Sequence, residues 1–301
     1  MRLKRISICF DKRCYSFSKT TNVLTPYWLT LSLNRGERVS LPIVFGGRQK
    51  QRIEGAFRSE WQFTTVEMVK RKGEWYAHFV LRKTVELADK PETIVAIDRG
   101  EVNLAVAVAM SKSNSNKPMR GHFWEGEEVK RIRGLYNHIG RRLQEKKLIK
   151  KVKELKGREK RKVNQRLHII ANQVIEYVKR FSKLIIVMEN LNGIRRNFKK
   201  SKKLNKRFRS LPFRKLQTII EYKANLEGIE VRYLVKKETR NTSKTCYRCG
   251  HVVKVKGRTF KCSNCEMEYD RDLNACINIA HRVMSSMGWG SCEPPNQHMG
   301  R

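Results

Sequence analysis

Acidic residues are scarce in this sequence. Its 301 residues hold 28 Asp+Glu against 66 Lys+Arg, a formal net charge of +38. Self-repulsion on that scale destabilises a compact chain unless a polyanion neutralises it. The expected partner is therefore nucleic acid, whose phosphates bind clustered Lys/Arg in a salt-sensitive way. A membrane surface fits less well, and no small-molecule substrate is expected. Long apolar runs are missing too, with none near the ~18 residues that mark a bilayer-spanning helix. The opening stretch MRLKRISICFDKRCY has no apolar core of the kind a secretory signal needs, so a cytoplasmic, reducing location is expected. There the eight cysteines read as metal ligands plus spare thiols rather than disulfides. Internal repeats are absent.

What is present is a globular pattern, with 40% hydrophobic residues. Residues 1–92 read as a β-rich N-terminal domain. ISICF, YWLTLSL and RVSLPIVF are rich in β-branched and aromatic residues, and WQFTTVEMVKRKGEWYAHFVLRK reads as two strands around a Lys-Gly turn. TIVAIDRGEVNLAVAVAM, from residue 93, reads as a buried hairpin whose first strand ends in Asp98. Residues 129–180 have helical periodicity. Ile132, Leu135, Ile139 and Leu143 step by three or four, and Val163, Leu167, Ile170, Val174 and Val178 resume the pattern. The expected product is a helical hairpin turned or kinked near LKGRE. Residues 130–166 carry sixteen Lys/Arg and three Glu, so its surface is either a solvated face or a nucleic-acid contact.

KLIIVMENLNGI (183–194) reads as a strand ending in Glu189. RRNFKKSKKLNKRFRSLPFRK (195–215) interleaves eleven Lys/Arg with three Phe, a phosphate-binding and base-stacking strip or a mobile loop. A helix over 216–228, a strand from Ile229 and a helix starting near Asp272 follow. The tail from 288 to 301 reads as flexible.

CYRCGHVVKVKGRTFKCSNC (246–265) places two Cys-x-x-Cys pairs twelve residues apart. Thiolates at i and i+3 on a tight turn face one metal, and two such knuckles complete a tetrahedral four-cysteine site. Cys246, Cys249, Cys262 and Cys265 are therefore expected to hold a structural zinc ion, with no open position for water. The alternative is four thiols without metal. The segment between the pairs is expected to be a small hairpin turning at Lys256-Gly257. His251 is expected to be a bystander, and Cys9, Cys14, Cys276 and Cys292 ordinary reduced thiols.

Three acids stand at strand ends or a helix start: Asp98, Glu189 and Asp272. Strand-end carboxylates from distant segments can converge at one sheet edge, and hard oxygen donors suit Mg²⁺ or Mn²⁺. A pair of such ions would activate water and stabilise the leaving oxygen of a phosphodiester. Singly, each acid has a plainer role as a turn cap, an ion-pair partner or a helix N-cap. Asp270 is a fourth candidate, with a structural role as its alternative.

These motifs together resemble the TnpB/OrfB family encoded by insertion sequences. IVAIDRGEVNLA resembles its first RuvC motif, VMENLNGI its second and YDRDLNACINIA its third. TSKTCYRCG with CSNC resembles its zinc ribbon, and the order of the motifs also matches. The resemblance covers roughly residues 30–283. It implies an α/β fold with a ribonuclease H-like, RuvC-type core over 93–243, a zinc-ribbon insert at 244–267 and a last core segment at 268–287. It implies catalytic Asp98, Glu189 and Asp272 holding Mg²⁺ or Mn²⁺, and a β-rich domain similar to the family's wedge domain. The implied activity is RNA-guided DNA endonuclease, with guide RNA and target DNA as partners, in a prokaryotic, nucleoid-associated location. Arg141, Arg142, Lys146 and Lys150 on the hairpin, and Arg195, Arg196, Lys199, Lys200, Arg207 and Arg209 on the strip, are the candidate backbone contacts. One departure stands out. About 95 residues precede the first motif, and no inserted helical segment is read among them, so a shortened member is expected. A nuclease-inactive regulator of the insertion sequence, a DNA-joining transposase and a ribbon protein for structured RNA are the competing readings.

Overall fold

The structure is a computed structural model. It describes residues 7–289 except 35, 72, 88–89, 101, 115–117, 120, 191–211, 236 and 256. The described residues form two compact units that divide after Val85, earlier than the expected boundary at residue 92. Glu92 belongs to the second unit: its N–H donates to the Lys183 carbonyl and its carboxylate pairs with Lys183 at 2.7 Å.

The first unit holds two antiparallel three-stranded sheets. One comprises β1 (Ser7–Phe10), β5 (Gln62–Arg71) and β6 (Glu74–Arg82). The other comprises β2 (Tyr15–Lys19), β3 (Tyr27–Ser32) and β4 (Arg38–Pro42). Strict alternation along β3 buries Tyr27, Leu29 and Leu31 on one face. Phe17 lies among the rings of Tyr27, Phe45, Phe57, Phe63 and Phe79. One helix, α1 (Gly47–Phe57), accompanies the two sheets and adds to the β-rich reading of this region. Its buried side is only Ile53, Gly55 and Ala56, too sparse an apolar stripe to read from sequence.

The second unit is an α/β sandwich. Its sheet runs in the order β11 (Glu230–Leu234), β10 (Leu184–Glu189), β7 (Thr93–Asp98), β8 (Asn103–Ser111), β9 (His122–Glu125). β7 pairs with β8 and β8 with β9 antiparallel, whereas β10 joins β7 and β11 joins β10 in parallel. Both faces of the central strands are buried, so they read as continuous apolar runs. Val95, Ile97, Ile186 and Met188 face one core with α3 (Ile149–Val178) and α4 (Phe213–Leu226). Ile94, Ala96, Ile185 and Val187 face another core under α5 (Arg271–Ser286).

α2 (Glu127–Glu145) and α3 form the helical hairpin, but the turn is at Lys146–Leu148, not near LKGRE. Gly157 lies inside α3. A lone glycine costs only about 1 kcal/mol there, which packing overrides. Lys147 turns the chain with φ +56°, and Leu155 of α3 packs 3.6 Å from where a Cβ on Gly140 would stand. Arg166 and Glu128 pair across the hairpin at 2.8 Å. Leu135, expected on the apolar stripe, is 55% exposed, and only Val129 of α2 is fully buried. No helix among the described residues is long and apolar enough to cross a membrane.

Candidate active site and metal centre

Chain parity places the acids. Asp98 continues the Ile94–Ala96 side of β7, and Glu189 continues the Ile185–Val187 side of β10. These strands are adjacent and parallel, with Met188 opposite Ile97, so both acids leave the same sheet edge on the face under α5. Asp272 lies in the first turn of α5 and is 8% exposed. The Asp98 N–H meets the buried Cys276 sulfur at 3.3 Å, and that thiol reaches the Val106 carbonyl, which pins α5 against the end of β7. Gly100 is held by a turn to the Asn103 carbonyl, and a Cβ there would stand 3.5 Å from Asp272 Oδ2.

Burial raises the Asp98 carboxyl to a pKa of about 6, and the charges of Asp272 and Glu189 push the same way. Three acids thus share one field, although their oxygens do not gather as tightly as the cysteine sulfurs described below. Asp270 is the N-cap: its Oδ1 accepts from the N–H groups of Asp272 and Leu273 at 2.8 and 3.0 Å. That frees Asp272 from the capping role and gives Asp270 the structural one.

Several polar partners of this site carry no sequence signal. Asn103 Nδ2 donates to Asp272 Oδ2 at 3.1 Å, and Arg258 Nη2 donates to the same oxygen. Arg99 lies on the opposite parity from Asp98. Its two Nη atoms donate to Gln217 Oε1 and to the Glu189 carbonyl, so it fixes the end of β10 against α4. Burial lowers the pKa of Arg99, and the nearby acids oppose that change.

The cysteines form a compact quartet whose sulfurs all lie within 4.8 Å of one another. It is the one such group of three or more His, Cys, Asp or Glu among the described residues. The Cys246–Cys265 and Cys249–Cys262 sulfurs stand 3.7 and 3.5 Å apart. Sulfurs around a tetrahedral zinc with ~2.3 Å bonds stand about 3.8 Å apart, so the quartet fits that ion. Gly250 (φ +73°) and Glu266 (φ +55°) supply the left-handed residue after each knuckle. The His251 side chain is exposed, and its carbonyl accepts from Cys246 N. Cys9 and Cys14 are free, and Cys292 lies outside the described residues.

The expected hairpin between the two pairs is corrected. Each knuckle closes its own hairpin instead. Thr245 bridges Val252 around the first, and β12 (Thr259–Lys261) pairs with β13 (Glu268–Asp270) around the second. β13 runs directly into α5. Asn274 Oδ1 accepts from Tyr247 N, its Nδ2 donates to the Thr245 carbonyl, and Asn278 Nδ2 donates to the carbonyls of Thr242 and Thr245. The Arg271 N–H donates to the Arg258 carbonyl. The cysteine module therefore grips the first two turns of the helix that carries Asp272.

Of the basic candidates, Arg141, Arg142, Lys146 and Lys150 are exposed around the α2–α3 turn. Arg195, Arg196, Lys199, Lys200, Arg207 and Arg209 lie outside the described residues.

The Cas12f1-like TNB domain model matches residues 213–279, from α4 through the cysteine module into α5. A TnpB-like protein of Methanocaldococcus jannaschii is 32% identical over 273 residues, which is 87% of this chain and 91% of that one. The Cas12f1 endodeoxyribonuclease of Sulfoacidibacillus thermotolerans is 27% identical, covering 82% of this chain and 60% of that protein. Among solved structures, a Cas12f1–sgRNA–target DNA complex matches 93% of this chain and 67% of its own, with TM-score 0.51 and 20% identity. Alicyclobacillus acidoterrestris C2c1 in complex with single-guide RNA matches 92% of this chain and 56% of its own, with TM-score 0.60 and 10% identity. At those identities the structural likeness speaks for a shared fold. Identity of 32% across nearly the full length of both chains goes further, and by it this chain belongs to the TnpB family.

Proposed function

We propose that the protein is a transposon-encoded, RNA-guided DNA endonuclease with a ribonuclease H-like core and a two-metal carboxylate site. The observation that carries this is the shared placement of Asp98 and Glu189 at adjacent parallel strand ends, beneath the helix that begins with Asp272. The sheet order, with three antiparallel strands followed by two parallel ones, supports the ribonuclease H-like core. The Asp98 pKa is raised by burial first and then by the charges of Asp272 and Glu189, and three such carboxylates are a donor set suited to hard divalent cations. Bound Mg²⁺ or Mn²⁺ would supply Lewis-acid polarisation of the phosphodiester and an activated water. Asp98, Glu189 and Asp272 would hold the ions. Arg99 fixes the strand end that carries Glu189, and the four-cysteine module, with zinc as its ion, holds the start of α5. The first unit takes the wedge-like role, residues 93–243 with 268–287 the nuclease core, and 244–267 the ribbon. The relatives' printed activity and complexes support guide RNA and target DNA as partners of this chain.

The test is to purify the protein with its bound RNA, sequence that RNA and supply matched duplex DNA with Mg²⁺ or Mn²⁺. A defined RNA species and metal-dependent cleavage are expected. Random RNA, with no cleavage in either metal, sinks the proposal and leaves a nucleic-acid binder without catalysis.

The exposed cluster at the α2–α3 turn is assigned to phosphate contact. Replacing Arg141, Arg142, Lys146 and Lys150 with Ala should weaken binding evenly across sequences. It should also reduce the slope of log K against log salt by about 3, at ~0.7–0.9 per lost phosphate contact. An unchanged slope in a salt titration assigns those residues to a solvated face.

A further inference from the structure

Among the described residues, two guanidinium groups stand near the three acids, and they are held differently. Arg99 is enclosed, with its Nη atoms on two neutral oxygens. The Arg258 side chain is 47% exposed and reaches from the solvent side to Oδ2 of Asp272, whose own side chain is 11% exposed. The Asn103 amide shares that oxygen. The Arg258 main chain is anchored where β12 and β13 meet α5, because its carbonyl accepts from Arg271 N. The side chain is thus the free end of an anchored residue.

We propose that Arg258 is a displaceable counter-ion for Asp272. It holds the carboxylate oriented in the metal-free protein and yields that oxygen when a divalent cation binds. This rests on the reading of Asp98, Glu189 and Asp272 as metal ligands. A shielded carboxylate beside two other acids needs a positive partner, because an unpaired charge there is costly. A half-exposed arginine can return to water at small cost, since surface ion pairs are worth little net. Arg99 cannot leave in this way, since its release would take the charged donor from the buried Gln217 Oε1. The metal and Arg258 therefore compete for one oxygen, while Asn103 stays with the carboxylate in both states.

The discriminating readout is metal affinity. Mn²⁺ binding would be titrated by calorimetry or electron paramagnetic resonance on the full chain, with zinc content measured in parallel. Arg258→Ala should bind Mn²⁺ about five-fold more tightly than wild type, because a competitor and a positive charge are both removed. Arg258→Lys should lie between the two. The metal-free Arg258→Ala protein should unfold at a lower temperature than wild type, and saturating Mn²⁺ should close that gap. Should Arg258→Ala lose its zinc, Arg258→Gln keeps an amide donor without the charge and is expected to show the same gain. Equal or weaker Mn²⁺ affinity in a zinc-replete variant overturns the proposal. Asp98→Ala separates the two layers. If wild type and Asp98→Ala give the same Mn²⁺ titration, the metal-site reading itself fails. If they differ while Arg258→Ala matches wild type, only the counter-ion role fails.

Discussion

Asp98→Asn should sharply lower the proposed cleavage while making the metal-free protein more stable at neutral pH. The loss follows from the assigned role. An amide oxygen carries no net charge, so the site loses a metal ligand and one of its three negative charges, and cleavage should fall about a thousand-fold or more, ~4 kcal/mol. The stability gain follows from burial and like charge. The Asp98 carboxyl has its pKa raised from 3.8 to about 6, first by burial and then by Asp272 and Glu189. A group whose folded pKa lies above its unfolded value favours folding most below the unfolded pKa. That contribution disappears as pH rises through the folded pKa. The metal-free wild type should therefore lose stability between about pH 4 and pH 6, by an amount of order 1–3 kcal/mol. Asp98→Asn removes that dependence. Thermal unfolding at pH 8 without divalent metal should show the variant melting higher, and at pH 4 the two should coincide. Mg²⁺ favours the ionised carboxylate, so added metal should raise the wild-type midpoint at pH 8 and leave the variant nearly unmoved. A variant that keeps full cleavage, or that melts lower than wild type at pH 8, contradicts the placement of Asp98 among the acids.

The parts of this molecule that sequence reveals are those set by short-range spacing. Two Cys-x-x-Cys pairs specify a metal quartet almost by themselves, since each pair needs only one tight turn, and the structure gathers all four sulfurs. Strand-end acids are readable because each closes a continuous apolar run, whereas the face they share follows only from the parallel register of β7 and β10. The choice between Asp270 and Asp272 is less readable, because both suit a helix start, and it takes the cap geometry to separate them. Arg258, Asn103, Arg99 and Gln217 are unreadable for another reason. Asn103 and Asp272 are 169 residues apart, and Arg99 and Gln217 are 118 apart, so only the finished sheet brings them together. The misplaced turn at LKGRE shows local propensity losing to packing. Gly157 weakens a helix only slightly, whereas the stripe from Val163 to Val178 buries five large side chains against the sheet. α1 was missed for the converse reason, a helix with too little apolar surface to announce itself.

Cys262→Ser should eliminate the zinc and lower cleavage by about a hundred-fold or more without unfolding the central sheet, a loss of ~3 kcal/mol or more. Cys262 is 4% exposed and packs with Phe260 and Cys246 in the small core of the ribbon, which has little else to hold it. In so small a module the metal-binding free energy is largely the folding free energy, of order 10 kcal/mol in zinc-finger peptides. Without zinc the two knuckles should open, and the damage has a defined route to the acids. Loss of the first knuckle removes the Tyr247 N–H and the Thr245 carbonyl from Asn274. Loss of the second frees β13, which carries the Asp270 cap, and carries Arg258 away from Asp272. Asp98 and Glu189 stand on strands whose pairing owes nothing to the ribbon, so their end of the site should persist. Zinc content by mass spectrometry should fall from about one per chain to none. Far-ultraviolet circular dichroism should keep most of its helical signal, because α2, α3 and α4 lie outside the ribbon. A second variant tests the route itself. Asn274→Ala leaves the four sulfurs in place, so it should retain zinc yet reproduce part of the activity loss through a loosened α5. Full activity in a zinc-free Cys262→Ser protein would show that the ribbon serves some other purpose than presenting Asp272. Full activity in Asn274→Ala alongside an inactive Cys262→Ser would move the linkage to β13 and the Asp270 cap.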